Sequence, residues 1–199
     1  MKFLFLLLIT LRLVAADNYS IRAYGGVATA YDFGEIVTGH IGQFQQNSTV
    51  YSLDGGYSLK KASKSLPFDF YIKSGLAYFE QPPGQDAIYE LTIYLKAYYN
   101  LDFLDNRVRL GFGEGGSYTS GILQVERDDA EAYSDNNSHY LNYLDVSVDF
   151  DVGKLIRLQT LKEFYAGVLL KHRSGIFGLI NNVRHGGSNH VGFYLEKNF

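Results

Sequence analysis

The sequence predicts an all-β fold: an antiparallel transmembrane β-barrel, with eight strands the preferred count and ten the alternative. Three observations predict it. Segments of alternating apolar and polar residues, separated by turn-rich stretches, run along the whole chain. The last of these segments is amphipathic and stops on an aromatic residue, Phe199, as closing strands of outer-membrane barrels do. The chain also opens like an exported protein.

The opening segment is Met1-Lys2 followed by FLFLLLITLRLVAA and then Asp17. Lys2 supplies the positive region, and Val14-Ala15-Ala16 fits a signal-peptidase site with cleavage after Ala16. Arg12 interrupts the apolar run, which is too short to span a bilayer comfortably. Residues 1–16 are therefore expected to be a signal peptide, and 17–199 a single barrel domain.

Candidate strands lie near 20–31, 35–46, 49–61, 67–80, 87–100, 106–119, 139–152, 162–177 and 190–199. Nine is an odd number, and a closed bacterial barrel with both ends on one side needs an even one. The first two are read as one long strand bent at Asp32-Phe33-Gly34, which leaves eight. A second strand within GFGEGGSYTSGILQVERDD would instead make ten. Residues 121–138 are polar and acidic and read as a long external loop with room for a short helix.

Strand faces separate cleanly. Leu91, Ile93, Leu95, Ala97 and Tyr99 oppose Thr92, Tyr94, Lys96 and Tyr98; Leu144, Val146, Val148 and Phe150 oppose Asp145, Ser147, Asp149 and Asp151. Acidic residues on one face and aliphatics on the other suit a polar lumen inside a lipid-facing wall. A soluble lipocalin-like barrel or β-sandwich, with the apolar face inside, is the rival that periodicity alone does not exclude.

Composition removes several function classes. Net charge is -3 with scattered basic residues, so there is no nucleic-acid footprint. The absence of cysteine excludes disulfides and thiolate metal sites. The 17 Tyr and 14 Phe against 3 Pro favour strands and suit membrane–water interfaces. A mean hydropathy of -0.11 fits a small barrel whose two faces average out.

The chemistry-bearing segment is His172–Phe199, beginning HRSGIF. In EFYAGVLLKHRSGIF, Ala166, Val168, Leu170, His172, Ser174 and Ile176 share one face, while Gly167, Leu169, Lys171 and Arg173 share the other. If the apolar side meets lipid, His172 and Ser174 lie on the outer wall and Lys171 and Arg173 in the lumen. Same-face neighbours two apart are close enough for a serine nucleophile and its histidine base, which needs a third group to hold its tautomer. On spacing alone the pair is more often two interfacial polar residues at the rim.

This tail, with H-R-S-G at 172–175, a Gly/Asn-rich hairpin and a short final strand, resembles the lipid A 3-O-deacylase (PagL) family. The resemblance implies an eight-stranded outer-membrane barrel that hydrolyses the acyl ester at the 3 position of lipid A, without a cofactor. It implies His172 as general base and Ser174 as nucleophile on the lipid-facing surface. It also implies lipopolysaccharide in a Gram-negative outer membrane as partner, and leaves a homodimer open. The family's acidic third member, aligned from the carboxyl end, falls at Asn189. An Asn carbonyl can fix the imidazole tautomer but lends no charge to the imidazolium, so a slower enzyme is expected. Glu196 is the only carboxylate side chain after His172 and has lumen parity. Gly175 N–H, with Asn181 or Asn182, would form the oxyanion hole, and Arg184 would meet lipid phosphates.

Other polar groups have weaker claims. Glu114, in GFGEGGSY, reads as a buried lumen carboxylate. Glu126, Asp128, Asp129 and Glu131 are candidates for divalent cations that bridge lipopolysaccharide, against a solvated loop as the plain reading. His40, His139, His185 and His190 show no metal-ligand spacing, so no metal site is expected.

Overall fold

A computed structural model of the chain describes residues 18–40 and 42–199. The expected signal peptide lies outside the described residues. Eight strands form one closed antiparallel barrel in sequence order: β1 (Tyr19–Thr29), β2 (Phe44–Lys60), β3 (Phe68–Glu80), β4 (Ile88–Phe103), β5 (Asn106–Thr119), β6 (Tyr140–Asp151), β7 (Phe164–Ser174) and β8 (Ser188–Asn198). The seam pairs β1 with β8, from Ser20 opposite Asn198 to Thr29 opposite Asn189. Closure leaves no free sheet edge, so strand amides pair with neighbouring strands rather than with water, as a hydrocarbon solvent requires. Each strand has at least 11 residues, enough to cross a bilayer when tilted.

The count of eight is reached by a different route from the one the periodicity suggested. Residues 35–46 are not the second half of a bent first strand. Helix α1 (Phe33–Val37) and a loop occupy most of that stretch, and β2 begins only at Phe44. At the start of α1 the Glu35 carboxylate accepts the Asp32 backbone N–H at 2.9 Å, a local bond that competes with strand pairing. The alternative of ten strands fails because β5 runs unbroken through the glycine-rich segment. The loop after β5 carries helix α2 (Gln124–Tyr133), and a short helix α3 (Val152–Leu155) links β6 to β7. No helix of the described residues is long and apolar enough to cross a membrane.

The faces point as a membrane barrel requires. Leu53, Leu76, Leu91, Ile93, Leu95, Phe112, Phe193 and Leu195 are exposed on the outer wall. The inner face is packed with charge. Arg22 reaches Asp54 at 2.5 Å, Asp145 at 2.6 Å and the Tyr94 hydroxyl at 2.7 Å. Lys96 also pairs with Asp145, Lys73 meets Glu196 at 2.5 Å, and Arg109 meets Asp149 at 2.7 Å. The soluble lipocalin-like rival, a lipid-binding barrel with its apolar face inside, is thereby overturned: buried ion pairs line the body of this lumen and the apolar side chains of the strands face outward. Gly111 belongs to this packing, since a β-carbon there would collide with the Lys96 ammonium and the Ser147 hydroxyl. Towards the loop end the lumen turns apolar, with Tyr24, Val50, Phe79, Leu169 and Tyr194 clustered beneath Leu123 from the β5–β6 loop.

Removing one member of a buried ion network strands its partners, a loss of about 3–5 kcal/mol. Asp145→Ala, which leaves both Arg22 and Lys96 short of a counter-charge, should strongly lower the temperature at which the folded gel band converts to the unfolded one. An unchanged transition would show that the network is structurally idle.

Candidate active site on the outer wall

Strand register brings the candidate residues together on the outer face at the loop end of the barrel. On β7, Lys171 and Arg173 are buried in the lumen, while His172 and Ser174 are half-buried on the outside. His172 stands directly opposite Asn189 of β8. Its Nδ1 lies 2.7 Å from Asn189 Oδ1, and Asn189 Nδ2 donates to the Tyr31 carbonyl at 3.0 Å. The second bond orients the amide. Because Oδ1 can only accept, the imidazole proton belongs on Nδ1 and Nε2 is left as the free base.

The β1–β2 loop completes the wall. Phe33, the first residue of α1, lays its ring against the His172 imidazole with centroids 4.9 Å apart. This loop thus supplies both the acceptor for Asn189 and an apolar cover for His172. Neither Tyr31 nor Phe33 stood out in the sequence, because the segment read as strand.

His172 and Ser174 share a face but are not hydrogen-bonded, and Ser174 Oγ has no hydrogen-bond partner among the described residues. Gly175 follows Ser174 and its carbonyl accepts the Ile180 N–H at 2.9 Å. A β-carbon at Gly175 would collide with the Val183 carbonyl, so only glycine permits this close loop return. Asn182 is exposed with φ 56°, and its carbonyl accepts from Asn136 Nδ2 at 3.3 Å. Asn181 is committed elsewhere, donating to Ser138 Oγ at 2.8 Å and to the Tyr140 carbonyl at 3.2 Å. Arg184 is exposed and lines an open cleft of about 560 Å³ with Tyr133, Asn136, Phe177, Asn182 and His185.

Several polar residues take structural places instead. Of the four acidic candidates in the loop after β5, Glu126 and Asp129 form a latch, while Asp128 and Glu131 stay exposed. Buried Glu126 accepts from Arg173 Nε and from Ser188 Oγ, each at 2.8 Å. Asp129 accepts the Gly186 N–H at 2.7 Å. Among the described residues no group of three or more His, Asp or Glu side chains is placed to hold a metal ion. His190 is buried in the lumen against Phe79, and His185 stacks on Tyr133. Glu196 lies in the lumen with Lys73 and Arg109, as its parity predicts. Glu114 does not: it is exposed on the outer wall rather than buried inside.

Comparison with known proteins places the fold. The chain is similar to the outer membrane enzyme PagL, with a TM-score of 0.60 and 13% identity over 90% of this chain and 99% of that one. It is also similar to Neisserial surface protein A, NspA, with a TM-score of 0.51 and 12% identity over 91% of this chain and 97% of that one. At such identities the likeness is one of fold. No family model matches the chain, and no curated protein matches it.

Outside the membrane span, Asp135 ties the β7–β8 loop to the end of α2. Its Oδ2 accepts the Arg184 and His185 N–H groups at 2.7 and 2.5 Å. The backbone N–H groups of His185, Asn136 and Arg184 hold this carboxyl below the usual carboxylate range. A folded value below the unfolded one stabilises the loop above the unfolded value, about pH 4, and that support is lost as pH falls through the folded value. Hydrogen exchange of the Arg184 and His185 amides, corrected for intrinsic rates, should therefore accelerate below about pH 4. In Asp135→Ala it should be fast at every pH; an identical profile in the variant would remove the latch from the account.

Proposed function

We propose that the chain is a serine esterase of the Gram-negative outer membrane, which removes an ester-linked acyl chain from a membrane lipid at the barrel's outer wall. Lipid A, cleaved at its 3-O-acyl ester, is the favoured substrate. The observation that carries this reading is the Asn189–His172 bond, with the Asn189 amide held in turn by Tyr31. A half-buried imidazole with a fixed tautomer, next to a serine hydroxyl with no partner among the described residues, is what nucleophilic catalysis requires and what a structural rim residue does not need.

Ser174 Oγ rotates onto Nε2, a contact that forms with substrate present, since such bonds are often loose in a free enzyme. As Oγ bonds to the ester carbonyl carbon, its proton passes to Nε2. The carbonyl oxygen becomes an oxyanion, for which the Gly175 N–H and the Asn182 side chain are candidate donors. Collapse of this intermediate breaks the ester C–O bond, and the leaving alkoxide takes the proton from Nε2. Water then repeats the cycle on the acyl-serine, releasing the fatty acid. Asn189 holds the ring throughout but brings no negative charge, so turnover is expected to be slow. Arg184, exposed in the cleft above, would pair with a phosphate of the headgroup.

A non-enzymatic barrel is the competing reading. Conduction through it is disfavoured by the ion pairs that fill the lumen. Expression in a Gram-negative host, followed by mass spectrometry of lipid A, tests the proposal. Wild type should yield lipid A lighter by one acyl chain and Ser174→Ala should not. Asn189→Ala, which removes one hydrogen bond from the ring, should lower kcat about tenfold. Unmodified lipid A with wild type, or acyl loss that survives Ser174→Ala, contradicts the reading.

A further inference from the structure

Two adjacent cross-strand rows of the outer wall contain more polar groups than His172 and Ser174. In one row Gly116 of β5 stands opposite Asn142 of β6, which stands opposite Ser174 of β7. In the next, Glu114 stands opposite Leu144, Leu144 opposite His172, and His172 opposite Asn189. Glu114 therefore lies two strands from His172, about 10 Å across the wall. Its other row neighbour is Leu95 of β4, and Phe112 follows it on the same face of β5.

Nothing in the barrel wall explains this carboxyl. Glu114 is exposed, and among the described residues it makes no hydrogen bond and no ion pair. It sits four positions from Tyr118, an exposed aromatic at the loop end of the same face, roughly 10 Å deeper along a tilted strand. An ionisable group at such depth is costly unless something pairs with it, so it marks a site. Gly116 has no side chain, and a β-carbon there would fall 2.9 Å from the ring and hydroxyl of Tyr140, which lies over it. Asn142 has outward parity yet is only 7% exposed, and its amide makes no hydrogen bond to the described residues. A carboxyl, an amide and a phenol, each without a hydrogen-bond partner among the described residues, thus lie close together on the outer wall beside Ser174.

We propose that Glu114, Asn142 and the Tyr140 hydroxyl form a lipid-binding subsite on the outer wall, which takes a hydroxyl or amide N–H of the lipid whose ester reaches Ser174. This specificity role rests on the esterase reading. Glu114 accepts the lipid's donor, Asn142 and Tyr140 complete the polar lining, and Gly116 lets the Tyr140 ring lie flat against the wall between them. The subsite selects acylated lipids that carry hydroxyl or amide groups near the ester over plain glycerol diesters, which have no donor to offer at that depth.

The test uses the full chain in vesicles containing hydroxy- and amide-bearing lipid A together with dioleoyl phosphatidylcholine. Native mass spectrometry after gentle detergent extraction reads which lipid stays bound to Ser174→Ala and to the double variants Ser174→Ala/Glu114→Leu and Ser174→Ala/Asn142→Leu. Retained lipid A should fall relative to phosphatidylcholine in both double variants, about tenfold for Glu114→Leu, which loses a hydrogen bond to a carboxylate, and about fivefold for Asn142→Leu, which loses one to a neutral amide. Folded-band gels establish that each variant is a closed barrel. In active chains, Glu114→Leu should lower the ratio of cleavage of lipid A to that of the diester by a similar factor. Unchanged lipid retention in the folded variants overturns the subsite, as does a Glu114-dependent cross-linked protein complex. Selective retention in a wild type that cleaves neither lipid supports the subsite while contradicting the esterase, so the two failures are distinguishable.

Discussion

A hydrocarbon solvent leaves no polar group without a partner, and most of this molecule follows from that constraint. It demands a sheet closed on itself, so β1 returns to β8. It sorts each strand, sending Arg22, Asp54, Lys96, Asp145, Arg109 and Asp149 inward, where they must satisfy one another. The lumen is filled as a result, which leaves the outer wall and the loop end as the places for function. The same constraint makes the polar residues that remain outside informative, because each is kept there against a cost.

Those residues gather on β5 to β8, at the end where the loops fold back. Three separate segments build the site: β7 carries His172 and Ser174, β8 carries Asn189, and the β1–β2 loop supplies Tyr31 and Phe33. The loop after β7 is held by α2 through Asp129 and Asp135, and the helix is held by Arg173 through Glu126. A chain of bonds therefore runs from the lumen to the loop that follows Ser174. The charged interior supports the barrel and also fixes the frame in which the outer site sits.

Strand parity was legible because its period is two and the wall has two unlike solvents. It separates His172 and Ser174 from Lys171 and Arg173 and turns Glu196 to the lumen. The carboxyl-end alignment brought Asn189 opposite His172 because β7 and β8 form one hairpin, where register is local. What was not legible depends on non-local packing. The segment 35–46 has strand-like alternation, but the Asp32–Glu35 bond starts a helix and Phe33 finds His172 across the β1–β8 seam. Glu114 was misplaced for a simpler reason: Val108, Leu110 and Phe112 share its parity, but a carboxylate is expected in a polar lumen, and that expectation outweighed the alternation. Asn142 emerged only when the register set it beside Ser174.

The central claim is that Ser174 is a nucleophile activated by His172 on the lipid-facing wall. A fluorophosphonate carrying an alkyl chain, added to the folded protein in bilayers, reads this directly through peptide mass spectrometry of the adduct. The account predicts one covalent label on Ser174, lost in His172→Ala. A folded wild type that takes no label, or one that is labelled on another residue, would contradict it.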